Sequence, residues 1–152
     1  MKVKRCPLVF HNVLSTTVRC KTSEWHEVAR DFRNAIIRNG LYSTGPIIYQ
    51  TANLNFEKQE ADYSFFIAVN TALDLPENDK YRFIEEWGFD DGLVFRHPDL
   101  DENVAITYDL LKEAADANEL KLQEPFFNIY LDVFGDGLID VYAPIVGDGK
   151  DD

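Results

Sequence analysis

From residue 23 onward, Trp25, Val28, Ala29, Phe32 and Ile36 recur at offsets of three, four, seven and eleven, the spacing of one buried helix face. Ser23 stands where an N-cap belongs, and Glu24 and Glu27 lie in the positive first turn. Arg30, Arg33 and Arg38 sit toward the negative end, and Gly40 can take the left-handed stop conformation. A second helix is predicted from Asp101, burying Val104, Tyr108, Leu111 and Ala115 and stopping at Asn118. The remaining apolar runs read as strands. Pro7–Val18 is β-branched and aromatic, with a break near His11-Asn12; Tyr42–Thr51 and Ala61–Ala72 flank a polar loop around Asn53-Leu54-Asn55. Tyr81–Ile84 and Gly92–Arg96 are extended, and Phe126–Phe134 and Leu138–Ile145 are joined through a Gly135-Asp136-Gly137 hairpin turn.

These elements recur. Cap and stop are seventeen residues apart in both helices, Ser23 to Gly40 and Asp101 to Asn118. Leu41 and Pro46 are separated by five residues, as are Leu120 and Pro125. Ile47-Ile48-Tyr49 follows the first proline and Phe126-Phe127-Asn128-Ile129-Tyr130 the second. The expected fold is therefore α+β: pseudo-duplicated strand–helix–strand–strand units forming an antiparallel sheet with two helices packed on it. Repeat one covers about 1–72, a linker 73–80, repeat two about 81–146 and a loose tail 147–152. Neither copy could easily bury its sheet and helix alone, so the two are expected to share a core.

A chain of 152 residues suits a single domain, and 45% hydrophobic residues can supply its interior. No run approaches the ~20 apolar residues that cross a bilayer. Met1-Lys2-Val3-Lys4-Arg5-Cys6-Pro7 has no apolar stretch with a cleavage site behind it, which points to the cytoplasm. There Cys6 and Cys20 are expected as free thiols. The net charge of −12 is uneven: residues 1–50 hold eight Lys/Arg against three Asp/Glu, and residues 51–152 seven against twenty-four. Such a surface repels phosphates, excluding nucleic acid as a direct partner, and attracts a basic one.

Catalytic and cofactor patterns are missing. His11, His26 and His97 show no metal-ligand spacing. Asp132, Asp136 and Asp140 recur every four residues, but Phe134 stands where a calcium loop needs oxygen. There is no GxSxG elbow and no GxxxxGK[ST] or GxGxxG phosphate cradle. A binding protein without metal or cofactor is the expectation, not an enzyme.

Two groups of residues could form the binding site. Glu85, Glu86, Trp87, Phe89, Asp90 and Asp91 set carboxylates around two large aromatics, and Asp99, Asp101 and Glu102 follow at the mouth of the second helix. Aromatic anchors ringed by negative charge suit a Lys/Arg-rich protein; a solvated loop whose aromatics turn inward is the plainer alternative. Tyr49, Tyr63, Phe65, Tyr130 and Tyr142 lie on strands near the expected repeat interface, where a ligand cleft could form, although core packing is the commoner reason for such aromatics.

The doubled unit, Gly45-Pro46 opening a strand, Glu124-Pro125-Phe126-Phe127 followed by Tyr130, and the closing Asp140-Val141-Tyr142-Ala143-Pro144-Ile145 resemble the gyrase-inhibitor-like (GyrI-like) effector-binding domains. That resemblance implies binding of small, often cationic, amphipathic molecules in an aromatic cleft between the repeats, or inhibition of a nucleic-acid enzyme such as gyrase. Read whole, the chain is also similar to the acidic immunity proteins paired with LXG-type polymorphic toxins of Bacillus (the antitoxin YxxD kind). This implies an antitoxin that binds and neutralises a basic toxin domain, a nuclease, in the cytoplasm. Oligomeric state is not legible.

Overall fold

The first helix, α1 (Trp25–Arg38), forms where the apolar spacing places it and buries Ala29, Phe32 and Ile36. Its N-cap is Glu24, with no side-chain capping bond, so Ser23 does not cap it. The entry is closed instead by backbone: the Glu24 amide donates to the Lys21 carbonyl at 2.9 Å and the Thr22 amide to Gln59 at 2.8 Å. At the other end the Asn39 side chain donates to the Ala35 carbonyl at 2.7 Å. Gly40, at φ 79°, then takes the left-handed turn that releases the chain.

The computed structural model describes residues 3–97, 103–133 and 136–148. They form two compact units, one of residues 10–87 and the other of the described residues before 10 and after 87. The division falls after Trp87, not within residues 73–80 as the turn-rich composition there suggested.

In the unit of residues 10–87, α1 lies with β2 (Leu8–Lys21), β3 (Ile47–Asn55), β4 (Glu60–Ala68) and β5 (Arg82–Phe89), in the order β3-β4-β2-β5. Strand β2 runs unbroken through the His11-Asn12 step; Asn12 adopts φ 58°, and its carbonyl accepts from the Val69 amide at 2.8 Å. Antiparallel register sets Leu14 opposite Ile67 and Val18 opposite Tyr63, while Tyr49 faces Phe65 across β3 and β4. The ladder shifts register between Ala52 and Asn55, where Asn53 takes φ 54°. Alternation on β4 then sends Ala61, Tyr63, Phe65 and Ile67 to one face, which packs with the buried face of α1.

The other unit holds β1 (Lys4–Arg5), β6 (Gly92–His97), α2 (Ala105–Ala117), β7 (Leu120–Leu122), β8 (Phe127–Val133) and β9 (Asp136–Asp148). Its order is β1-β6-β9-β8, with β7 also pairing β9. Helix α2 begins at Ala105, whose amide donates to the Asn103 side chain at 2.9 Å; the expected start, Asp101, lies outside the described residues. It ends at Asn118, whose side chain donates to the Ala114 carbonyl at 2.8 Å. Strand β9 starts earlier than predicted, since Asp136 and Gly137 pair with Val133 and Asp132. Gly135 of the predicted turn lies outside the described residues.

Each unit contains a strand, a helix and a hairpin in that order, and the second hairpin strand pairs with the strand before the helix: β4 with β2, β9 with β6. Each helix also covers its own buried cluster, where the sequence suggested a common core. One centres on Phe32, Tyr63, Phe65 and Ile67, the other on Phe95, Leu111, Phe126 and Val141.

Candidate functional site

The segment expected as a linker, residues 73–80, is an extended strap on the unit of residues 10–87. Leu73 and Leu75 alternate inward onto the cluster beneath α1, while Asp74 and Pro76 face solvent. Asn78 closes the strap: its carbonyl oxygen accepts from the Tyr81 amide at 2.7 Å and the Lys80 amide at 2.9 Å, and its amide donates to Pro76 at 3.0 Å. Thr16 of β2 anchors the far end, its hydroxyl donating to the Lys80 carbonyl at 2.8 Å. Tyr81 is thereby held nearly parallel to Phe32 of α1, with ring centres 5.9 Å apart.

Between strap and helix lies a cavity of about 360 Å3. Leu14, Ile36, Leu41, Leu73 and Leu75 form apolar walls, and Phe32 and Tyr81 add ring faces. Its polar groups are the Asn39 side chain, already bonded to Ala35, and the exposed carboxylate of Asp74. An apolar body can replace water against these walls, while the carboxylate and rings favour a cation over an anion. The periodicities that located α1 and the strands carry no trace of this site, because the strap lacks regular structure. Its one legible signal is Leu73 and Leu75 alternating with polar residues.

The five aromatics proposed for a cleft line other places. Tyr49, Tyr63 and Phe65 are buried in the cluster beneath α1, with the Trp25 ring tilted against Tyr49 at 4.3 Å between centres, and none lines the cavity. Burial pushes the Tyr63 phenol above its ordinary range, and the neighbouring Cys20 adds to this. Tyr130 is half-buried and packs on the cluster of the other unit. Tyr142 is 1% exposed and donates its hydroxyl to the Cys6 carbonyl at 2.7 Å. Burial holds its phenol far above the usual value, so it stays a donor.

The acidic stretch is strand and turn. Glu85, Glu86 and Asp90 are exposed, but the aromatics between them turn inward. Trp87 stacks on Phe66 at 4.6 Å, and Phe89 packs 5.2 Å from Phe127. Asp91 is engaged by Arg5 in a forked contact with bonds of 2.6 to 3.1 Å, which lowers its pKa. Asp99, Asp101 and Glu102 lie outside the described residues.

Among the described residues no group of three or more His, Cys, Asp or Glu could hold a metal ion, and Cys6 and Cys20 are free thiols. His97 is buried with its Nδ1 2.8 Å from the Thr107 hydroxyl. Among the described residues no helix is long and apolar enough to cross a membrane.

The chain belongs to a family of domains of unknown function, DUF5085, whose pattern matches residues 9–148. Its sequence has no match among curated proteins. The fold is that of the EcmrR C-terminal domain, a GyrI-like fold: that crystal structure is 14% identical, with TM-score 0.65 and coverage of 95% of this chain and 98% of the other. EcmrR in its DNA complex, solved by cryo-electron microscopy, matches with TM-score 0.71 at 13% identity over 94% of this chain. This chain spans 57% of that longer one. SAV2435, solved bound to tetraphenylphosphonium, matches with TM-score 0.50 at 12% identity, covering 97% of this chain and 95% of the other.

Proposed function

We propose that this member of the DUF5085 family is a non-catalytic binding module that takes an amphipathic, cationic small molecule in the cavity between α1 and the strap. The observation that carries this reading is the pairing of a mostly apolar cavity of about 360 Å3 with a single acidic side chain, Asp74, at its edge. Apolar walls supply affinity through burial, and a single carboxylate beside two aromatic rings sets the sign of the charge. The likeness to SAV2435, itself bound to a lipophilic cation, supports the ligand class.

Tetraphenylphosphonium is a suitable probe. It should raise the thermal midpoint in proportion to the logarithm of its concentration above Kd. Ala35→Trp, which fills the cavity from the helix side, should abolish that rise while the protein remains folded by circular dichroism. No stabilisation at millimolar probe, or an equal rise in the Ala35→Trp protein, would sink the proposal.

A second reading is that of a partner-neutralising protein, the toxin antidote suggested by whole-chain likeness. Exposed Glu85, Glu86 and Asp90 favour it, as a negative surface that would steer a basic protein. Neither the family match nor the solved structures point to an LXG immunity protein, and the solved structures favour the ligand-binding reading. Co-expression with a neighbouring toxin domain, scored for rescue and co-purification, tests it; reversing Glu85, Glu86 and Asp90 to lysine should then slow association.

A further inference from the structure

The solvent-facing sides of the two helices are unlike in a way that neither the cavity nor the cores require. On α1, Arg30, Arg33 and Ile37 are exposed at offsets of three and seven, which places them on one stripe, with Ile37 54% exposed. Arg30, Arg33 and the neighbouring Arg38 make no ion pair among the described residues. On α2, Ile106 and Leu110 are one turn apart and are 57% and 36% exposed. Glu113 and Asp116 continue that side of the helix, exposed and likewise unpaired among the described residues. The nearest cation on α2, Lys112, is turned to Glu124 at 2.8 Å and leaves the stripe negative.

We propose that these stripes are docking faces for one another across two copies of the chain, α1 of one copy packing antiparallel on α2 of the next. The spacing fits. If Ile37 packs on Leu110, the antiparallel direction brings Arg33 level with residue 114, beside Glu113, and Arg30 level with residue 117, beside Asp116. The apolar end of each stripe meets the apolar end of the other, and both arginines meet carboxylates. Opposed helix dipoles favour the same orientation. Net charge of −12 per copy opposes association, but at physiological salt screening acts within about 8 Å, so contacts at the stripe outweigh distant repulsion. One helix pair buries less than the roughly 1,200 Å2 of a stable interface, so the association is weak, with Kd on the order of 0.1 mM.

Sedimentation equilibrium from 10 µM to 1 mM reads this directly. The native chain should self-associate within that range. Arg30→Glu with Arg33→Glu in one variant, and Glu113→Lys with Asp116→Lys in another, should each weaken association at least tenfold. Because all four positions are exposed, circular dichroism and the thermal midpoint should stay near those of the native chain. An equimolar mixture of the two variants brings a negative α1 onto a positive α2 and a positive α1 onto a negative α2. The mixture should therefore associate where each variant alone does not, and the chain carrying all four reversals should associate like the native protein. A chain monomeric to 1 mM would overturn the proposal and leave these faces to a different partner. Association that persists in both double variants, or that the fourfold variant fails to restore, would overturn it equally.

Discussion

Gly92 shows how one residue fixes a neighbourhood. It pairs with Pro144 on β9, and its carbonyl accepts from the Cys6 amide at 2.9 Å. A Cβ at this position would run into the ring of Tyr142, which is itself held by its bond to the Cys6 carbonyl. Gly92→Ala should therefore lower stability by about 1–3 kcal/mol in chemical denaturation, through overpacking. Tyr142→Phe should cost less, about 1 kcal/mol, by leaving the Cys6 carbonyl without its donor. An alanine variant as stable as the native chain would mean that the ring can yield. Tyr142 also marks a limit of legibility: strand alternation assigns it a face but cannot tell a buried face from a ligand cleft. The ion pairs set the acid response. Arg5 lowers the pKa of Asp91, and Asn53 with Arg19 lowers that of Asp62, so both folded carboxyls bind protons more weakly than in the unfolded chain. Their contribution is fully present above the unfolded value, about pH 4, and is lost as pH falls through the lower folded values. Asp91→Asn should flatten the loss of stability below about pH 4 and leave its pH dependence between 6 and 8 unchanged.

At the level of elements, the helices were legible and the strap was not. Apolar spacing picked out the buried faces of α1 and α2 because side-chain periodicity is a property of the helix itself. Cap chemistry was a poorer guide. Ser23 had the right side chain, but the backbone bond from Glu24 to Lys21 already closes the entry. The stretch Leu73–Lys80 read as a linker because Pro76 and Asn78 are turn residues, yet the same residues pin it down: Asn78 gathers three hydrogen bonds within the strap. Asn78→Ala should cost about 1–2 kcal/mol, chiefly as faster hydrogen exchange at the Lys80 and Tyr81 amides. Exchange should be unchanged in β8 and α2. If global stability falls without a local rise in exchange at those two amides, Asn78 acts elsewhere than in closing the strap.

At the scale of the whole molecule, composition disclosed the amount of charge but not its arrangement. The basic first fifty residues do not map onto one compact unit: residues 10–87 hold eight Lys/Arg and eleven Asp/Glu, and the other unit seven and sixteen. The proposed cavity thus lies in the less acidic unit, and a cationic ligand meets two separable effects, the field of the entire chain and the local carboxylate of Asp74. The first acts over the Debye length, about 30 Å at 0.01 M salt and 3 Å at 1 M. Raising salt across that range should weaken tetraphenylphosphonium binding by on the order of tenfold. The second acts at contact, where a charge pair in a water-like dielectric is worth about 1 kcal/mol, or roughly fivefold in affinity. Asp74→Asn should therefore shift the whole curve of affinity against salt downward by about that factor while most of its slope persists. A variant that loses the slope but keeps its high-salt affinity would show Asp74 acting only as part of the long-range field, with the cation bound away from it.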